Sequence, residues 1–351
     1  MDRATENTAS TGRSITKSFV KSNEFGTFVA LLSLVGFTAF LNPNFMSLYN
    51  LQTLGQQWAI FGILAIGEIF VIVVGGGAID LSLGSLTGLS GVLVAMFMVK
   101  YHIPIFWSIV LVLLVDVGWG LWHGLAFTKL GVPPFITTLG TLAIARGLCS
   151  VLTHGWPIIN VPSRFVYLGQ GTFLGVPIPV IILLVIVSIA AFFYYHTIYG
   201  TYLRAVGGNV EAAKMAGIDV VKVRTVPFVV SAVLSGLVGV IIAARLSQGQ
   251  PAVGSSYELY AIAASVIGGT ALTGGVASVW GGLIGAGIIT TMWNSMVLLG
   301  ISAYWQNVAL GFVIVGAVTF DVLRRHRSAK LSQQLLEMVR FAPPEKGNER
   351  R

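Results

Sequence analysis

Charge is scarce in this 351-residue chain: Asp, Glu, Lys and Arg make up 10% of it, against about a quarter in ordinary soluble domains. With 55% hydrophobic residues and a mean hydropathy of +0.84, that scarcity excludes a soluble domain. A single cysteine, Cys149, excludes an intramolecular disulfide framework; within an apolar run it reads as a buried small hydrophobe. No G-x-x-x-x-G-K-[ST] phosphate loop occurs, so ATP is not bound and hydrolysed here by that route. The five histidines lack paired metal-ligand spacing, and no nucleophile, base and carboxylate stand together. A net charge of +8 invites nucleic acid, but the basic residues cluster in tails and loops beside apolar stretches, with no aromatic interleaving. Nucleic-acid binding is therefore excluded.

What the chain has in abundance is apolar runs of helical length, the pattern of an all-α polytopic membrane protein. Ten spans are expected, at residues 25–41, 58–74, 81–99, 105–127, 134–152, 176–195, 226–244, 259–272, 277–299 and 305–320. The eighth is short and glycine-rich. Residues 1–24 lack an apolar core with a cleavage site and read as a cytoplasmic tail, not a secretory signal; residues 324–351 read as a basic cytoplasmic tail. An even span count puts both termini on one side. With the N-terminus inside, inner segments hold 17 of the 21 basic residues and outer loops only Lys100, Arg164 and Arg245, while Arg146 falls within a span. The positive-inside bias thus makes both ends cytoplasmic.

One polar island interrupts the apolar chain. Residues 201–224 carry six charges, whereas residues 165–203 and 259–320 carry none. On the same count the island is cytoplasmic. Within it, Gly207 and Gly208 precede Asn209, which suits a helix N-cap, and Glu211 then lies in the first turn, where the helix dipole favours an acid. Ala212 and Ala213 follow, and Gly217 suits a left-handed helix end. A short surface helix of this kind can lie in a groove on a partner; the plainer alternative is an ordinary basic inner loop.

Inside the spans, Glu68 and Asp116 are the only deep acids. A charge within the membrane is costly and often functional, so each is a candidate for lining a path, with pairing to another helix as the rival. Asp80 falls at the inner junction of two spans, within reach of water, and is read first as a cap on the helix from Leu81 through the amides of Ser82 or Leu83, with substrate contact as the rival. The glycines at Gly75-Gly76-Gly77, Gly268-Gly269 and Gly274-Gly275 permit close helix approach or a broken helix.

Four ordered motifs carry a family resemblance. Gly207-Gly208-Asn209-Val210-Glu211-Ala212-Ala213, with Gly217-Ile218, resembles the coupling loop of ABC-importer permeases, although its I-x-L-P tail is absent. Ile79-Asp80-Leu81-Ser82-Leu83-Gly84-Ser85, the run from Tyr257 to Ala264, and Gly268-Gly269-Thr270 with Leu272 and Gly274-Gly275 resemble signatures of ribose-type bacterial sugar permeases. These are the sugar branch of the binding-protein-dependent permeases that also include branched-chain amino acid permeases. The likeness covers roughly residues 45–323; Ala78 and Ala277 stand where glycines are common.

The resemblance implies a bacterial inner-membrane permease domain over residues 25–323, for a monosaccharide or similar polyhydroxylated solute. It implies a cytoplasmic ABC ATPase docking on residues 207–217, an extracytoplasmic sugar-binding protein, a second permease copy or paralogue, and no cofactor on this chain, ATP being bound by the partner. The rival readings are an ion-coupled secondary transporter, for which only Glu68 and Asp116 qualify as coupling acids, and a membrane-embedded enzyme.

Overall fold

The computed structural model describes residues 23–319 and 323, so the expected tails lie almost entirely outside the described residues. The protein is helical apart from one short hairpin. Its helices are α1 (Asn23–Leu41), α2 (Leu48–Val73), α3 (Leu83–Val99), α4 (Ile105–Thr128), α5 (Pro134–Thr153), α6 (Ser163–Gln170), α7 (Ile178–His196), α8 (Ile198–Gly208), α9 (Val210–Met215), α10 (Val220–Leu246), α11 (Tyr257–Ile267), α12 (Val279–Leu298) and α13 (Ala303–Thr319). Strands β1 (Thr172–Phe173) and β2 (Val176–Pro177) pair antiparallel between α6 and α7.

Among the described residues, seven helices are long and apolar enough to cross a membrane: α1, α2, α4, α5, α7, α10 and α12; α3, α11 and α13 are apolar but shorter. Each of these ten overlaps one expected span, with instructive differences. Helix α2 begins ten residues before the expected Trp58, because Ser47 caps its start by accepting from the Asn50 amide (3.3 Å). The polar turn that follows still propagates as helix once capped. Helix α11 stops at Ile267, so the eighth stretch is helical for only 11 residues, about 16 Å or half a hydrocarbon core.

Helices α2 and α10 form the centre, wrapped by α3, α4, α11 and α12. The best-buried part of α2, residues 59–73, is apolar on every side apart from Glu68, as suits a helix enclosed by others. Peripheral helices α4, α5 and α7 keep large apolar side chains exposed, among them Trp107, Leu139 and Phe192, as lipid-facing surfaces do.

The connections gather on two faces. On one, the Gly275 amide donates to Val73 O (2.8 Å) and Ser278 Oγ to Glu24 Oε1 (2.5 Å). On the other, Ile158 pairs with Gly249, Gln170 Nε2 donates to Arg245 O (2.8 Å) and Asn42 Nδ2 to Leu298 O (3.0 Å). Every expected inner connection that is bonded to another meets an inner one, and likewise for the outer connections.

Candidate functional site

The polar island folds as α8, α9 and the first turn of α10, not as a loop. Thr197 caps α8 by accepting from the Gly200 amide, Asn209 Oδ1 caps α9 by accepting from the Ala212 amide (3.0 Å), and Asp219 Oδ1 caps α10 by accepting from the Lys222 amide (3.1 Å). Hydrogen bonding of the charged form holds the exposed Asp219 carboxyl below its usual range. Helix α9 ends in paired bonds from Gly217 N to Lys214 O (2.9 Å) and Ile218 N to Ala213 O (3.1 Å), with Gly217 at φ +78°. Glu211 sits in the first turn and pairs with Lys214 (2.9 Å), both exposed. Ala212 and Met215 are exposed too, and Met215 is 89% so. Ala213 differs from its expected companions: it is 3% exposed and packs on the chain's own core. The outward surface of α9 is therefore Glu211, Ala212, Lys214 and Met215.

This surface is joined to the transmembrane core by a three-way meeting of glycines. Gly207 near the end of α8, Gly75 just after α2, and Gly274-Gly275 before α12 bring their backbones into contact. A Cβ on Gly207 would run into Val73 O, and one on Gly274 into Gly75. The expectation of close approach or a broken helix for Gly75 and Gly274-Gly275 becomes, with Gly207, a weld of three separate segments, while Gly208 is exposed and a Cβ added to it would meet nothing.

Above this junction lies a buried polar centre. Three successive left-handed glycines, Gly75 to Gly77, turn the chain back after α2, so that the Asp80 amide donates to Glu68 Oε1 (3.3 Å). Asp80 is fully buried rather than water-accessible at the surface, because residues 78–82 fold back against α2 and α10. Its Oδ1 accepts from Ser82 N (2.9 Å) and Ser82 Oγ (2.5 Å), and its Oδ2 from Ser231 Oγ (2.7 Å). The expected cap is thus a turn closed by Asp80 onto the Ser82 amide, with α3 starting at Leu83. Gly84 packs against Gly254, and a Cβ there would also strike Glu258 Oε2. Residues 247–256 therefore enter from the opposite face and meet the start of α3. Two broken helices that meet inside a bundle are a recognised way to build a solute site.

Glu68 and Asp80 thus stand together, whereas Asp116 lies apart, accepting from Ser90 Oγ (2.9 Å) and packed against Gly236. Gly268 packs on Gly281, and Gly269 turns the chain after α11 at φ +93°. Sequence reasoning passed over Arg146, which donates to Val253 O (2.6 Å) and so holds the 247–256 segment. Its lone positive charge within an apolar stretch was the available signal. Among the three outer cations, Arg245 is tied to Gln57 (3.0 Å) and Lys100 to Leu152 O (3.5 Å), while Arg164 is exposed.

Residues 50–318 match the family model described as branched-chain amino acid transport system / permease component. The ribose import permease protein of Haemophilus influenzae is 41% identical over 84% of this chain and 91% of its own length. That of Bacillus subtilis is 40% identical over 85% and 92%, and the D-allose transport system permease protein of Escherichia coli 34% over 86% and 92%. No solved structure matches. With a family model covering most of the chain and relatives of this identity along nearly their full length, the chain belongs to the family of branched-chain amino acid transport system permease components, as a multi-pass membrane permease rather than an enzyme.

Proposed function

We propose that this permease forms the translocation path of an ATP-driven, binding-protein-dependent importer for a monosaccharide or similar polyhydroxylated solute. The observation that carries the reading is the glycine junction. It couples the exposed face of α9 rigidly to the end of α2 and the start of α12, so a push on α9 reaches the core. Relatives named for ribose and allose transport support the solute class. In this reading a cytoplasmic ATPase pair holds the ATP, seats α9 and needs no cofactor on this chain. A second permease copy or paralogue closes the path, and an extracytoplasmic sugar-binding protein delivers solute beside Arg164. Ten crossings with both termini in the cytoplasm of a bacterial cell agree with the basic-residue asymmetry and with the sorting of connections onto two faces.

Glu68, Asp80 and Glu258 line the middle of the path, where buried carboxyls present acceptors to sugar hydroxyls once the surrounding segments part. Binding protein and ATP each favour a different state of the path, which shifts the balance between inward and outward access. The test is reconstitution of the permease with its ATPase and binding protein in liposomes containing ATP, with uptake of labelled ribose, allose and arabinose measured. Uptake by the permease alone, driven by an ion gradient, would refute the reading.

A further inference from the structure

A groove of about 500 Å³, no part of the mechanism above, opens between α2, α7 and α10. Its wall is apolar throughout: Ile66 and Phe70 of α2, Ile189 and Phe193 of α7, Val226 and Leu234 of α10. The floor is closed by Tyr199 of α8, whose hydroxyl turns away to donate to Val223 O (3.2 Å). Ile189 and Phe193 are about half exposed, so the groove opens sideways, outward from the bundle. Both α7 and α10 have spanning length and apolarity, which makes the medium outside hydrocarbon.

The dimensions select an occupant. Along α10 the lining runs from Val226 to Leu234, about 12 Å at 1.5 Å per residue. One leaflet of a 30 Å hydrocarbon core is about 15 Å deep. A single acyl chain fits. The register of α10 then supplies the headgroup contact. Lys222, Val226, Val230 and Leu234 are spaced four apart along one ridge of α10, so Lys222 follows one turn beyond the lining, past Tyr199, at the α8–α9 end of the groove. Lys222 pairs with Asp219 at 3.2 Å, but both side chains are at least half exposed. An exposed pair of this kind contributes little and yields readily to a competing phosphate.

We propose that an acyl chain of an anionic phospholipid, from the leaflet on the α8–α9 side, occupies the groove between α2, α7 and α10 with its headgroup on Lys222. The lipid ties the first turn of α10 to α7, beside the helices that carry the coupling surface. The proposal rests on reading α7 and α10 as membrane-spanning, but not on the identity of the solute.

The full-length permease in nanodiscs would be photolabelled with phosphatidylglycerol or phosphatidylcholine carrying a diazirine midway along one chain, and the crosslinks mapped. Labelling should concentrate at Ile189 and Val230 relative to the lipid-facing Leu111 and Leu114 of α4. Phosphatidylglycerol should be favoured there about fivefold, the factor equivalent to about 1 kcal/mol for one basic residue near a membrane surface. Lys222→Gln should erase that preference and leave chain labelling intact. Val230→Trp, or Ile189→Trp should the first fail to fold, should empty the groove without altering label on α4. Equal labelling of groove and α4, unchanged labelling in the tryptophan variants, or a disulfide joining two permease copies when Ile189→Cys is oxidised would each overturn the proposal. Failure of the chain to insert into the bilayer would instead strike the membrane reading beneath it.

Discussion

The two polar regions of this permease are built on opposite plans. The α8–α9 region exposes Glu211, Lys214, Asp219 and Lys222, and each helix start is capped by a side chain three residues from the amide it serves. The Glu68–Asp80 centre is closed to solvent, and its partners come from α2, the turn before α3, and α10, up to 151 residues apart. Local bonding with exposed side chains tolerates change, because water replaces a lost partner. A buried centre assembled from distant segments does not, since each lost acceptor strands a donor without water. The glycine junction shares the second plan, although it lies directly beneath the first.

The largest effect should come from the junction. Gly207→Val places a branched side chain against Val73 O and Gly275, and overpacking of this kind costs about 1–3 kcal/mol or more. Thermal unfolding of the purified permease should show the loss, and ATP-driven uptake should vanish. Gly208→Ala, with open space around it, should behave as wild type in both assays. If the two variants were equally damaging, the contrast between junction and surface would fail.

Asp80→Ala comes next. It strands Ser82 N, Ser82 Oγ and Ser231 Oγ, and each unpaired buried group costs about 1–3 kcal/mol. Stability in detergent should fall while insertion persists. Wild-type stability would mean that water already reaches the centre.

A smaller effect on folding, with a large one on coupling, is expected for Ala212→Trp. The position is exposed, so the isolated permease should unfold as wild type does while stimulated ATP hydrolysis is lost. Trp at Ala213 would instead pry α9 from its own core. Comparing the pair separates the outward side of α9 from the inward one.

The smallest changes concern the caps. Asn209→Ala should cost about 1 kcal/mol, read as faster amide exchange within α9. The Asp219 cap should depend on pH. Its folded value is depressed, so its contribution is complete above the ordinary aspartate value of about 3.9 and is lost as pH falls through the lower folded value. Exchange at the Lys222 amide, corrected for its intrinsic pH dependence, should rise only in that acid window, and Asp219→Asn should abolish the transition.

How much was legible beforehand follows the same division. Asn209, Glu211 and Gly217 signal their helix ends through neighbours within a few residues, and the structure puts cap, acid and left-handed glycine at those positions. The start of α2 at Leu48 was missed because a polar opening turn hides a helix from any reading based on apolar runs. Asp80 was taken as reachable by water because nothing near it in sequence announces that Gly75 to Gly77 fold it back onto Glu68. Arg146 announced itself as a charge out of place but not its partner, the Val253 carbonyl 107 residues away.

Composition and order therefore determined by themselves that this is a helical membrane protein with one charged island, because apolar length and local capping act through adjacent residues. Only the tertiary structure decided that Gly75, Gly207 and Gly274 form one joint and that Glu68 meets Asp80. Those contacts join residues far apart in sequence, and close packing in three dimensions selects them.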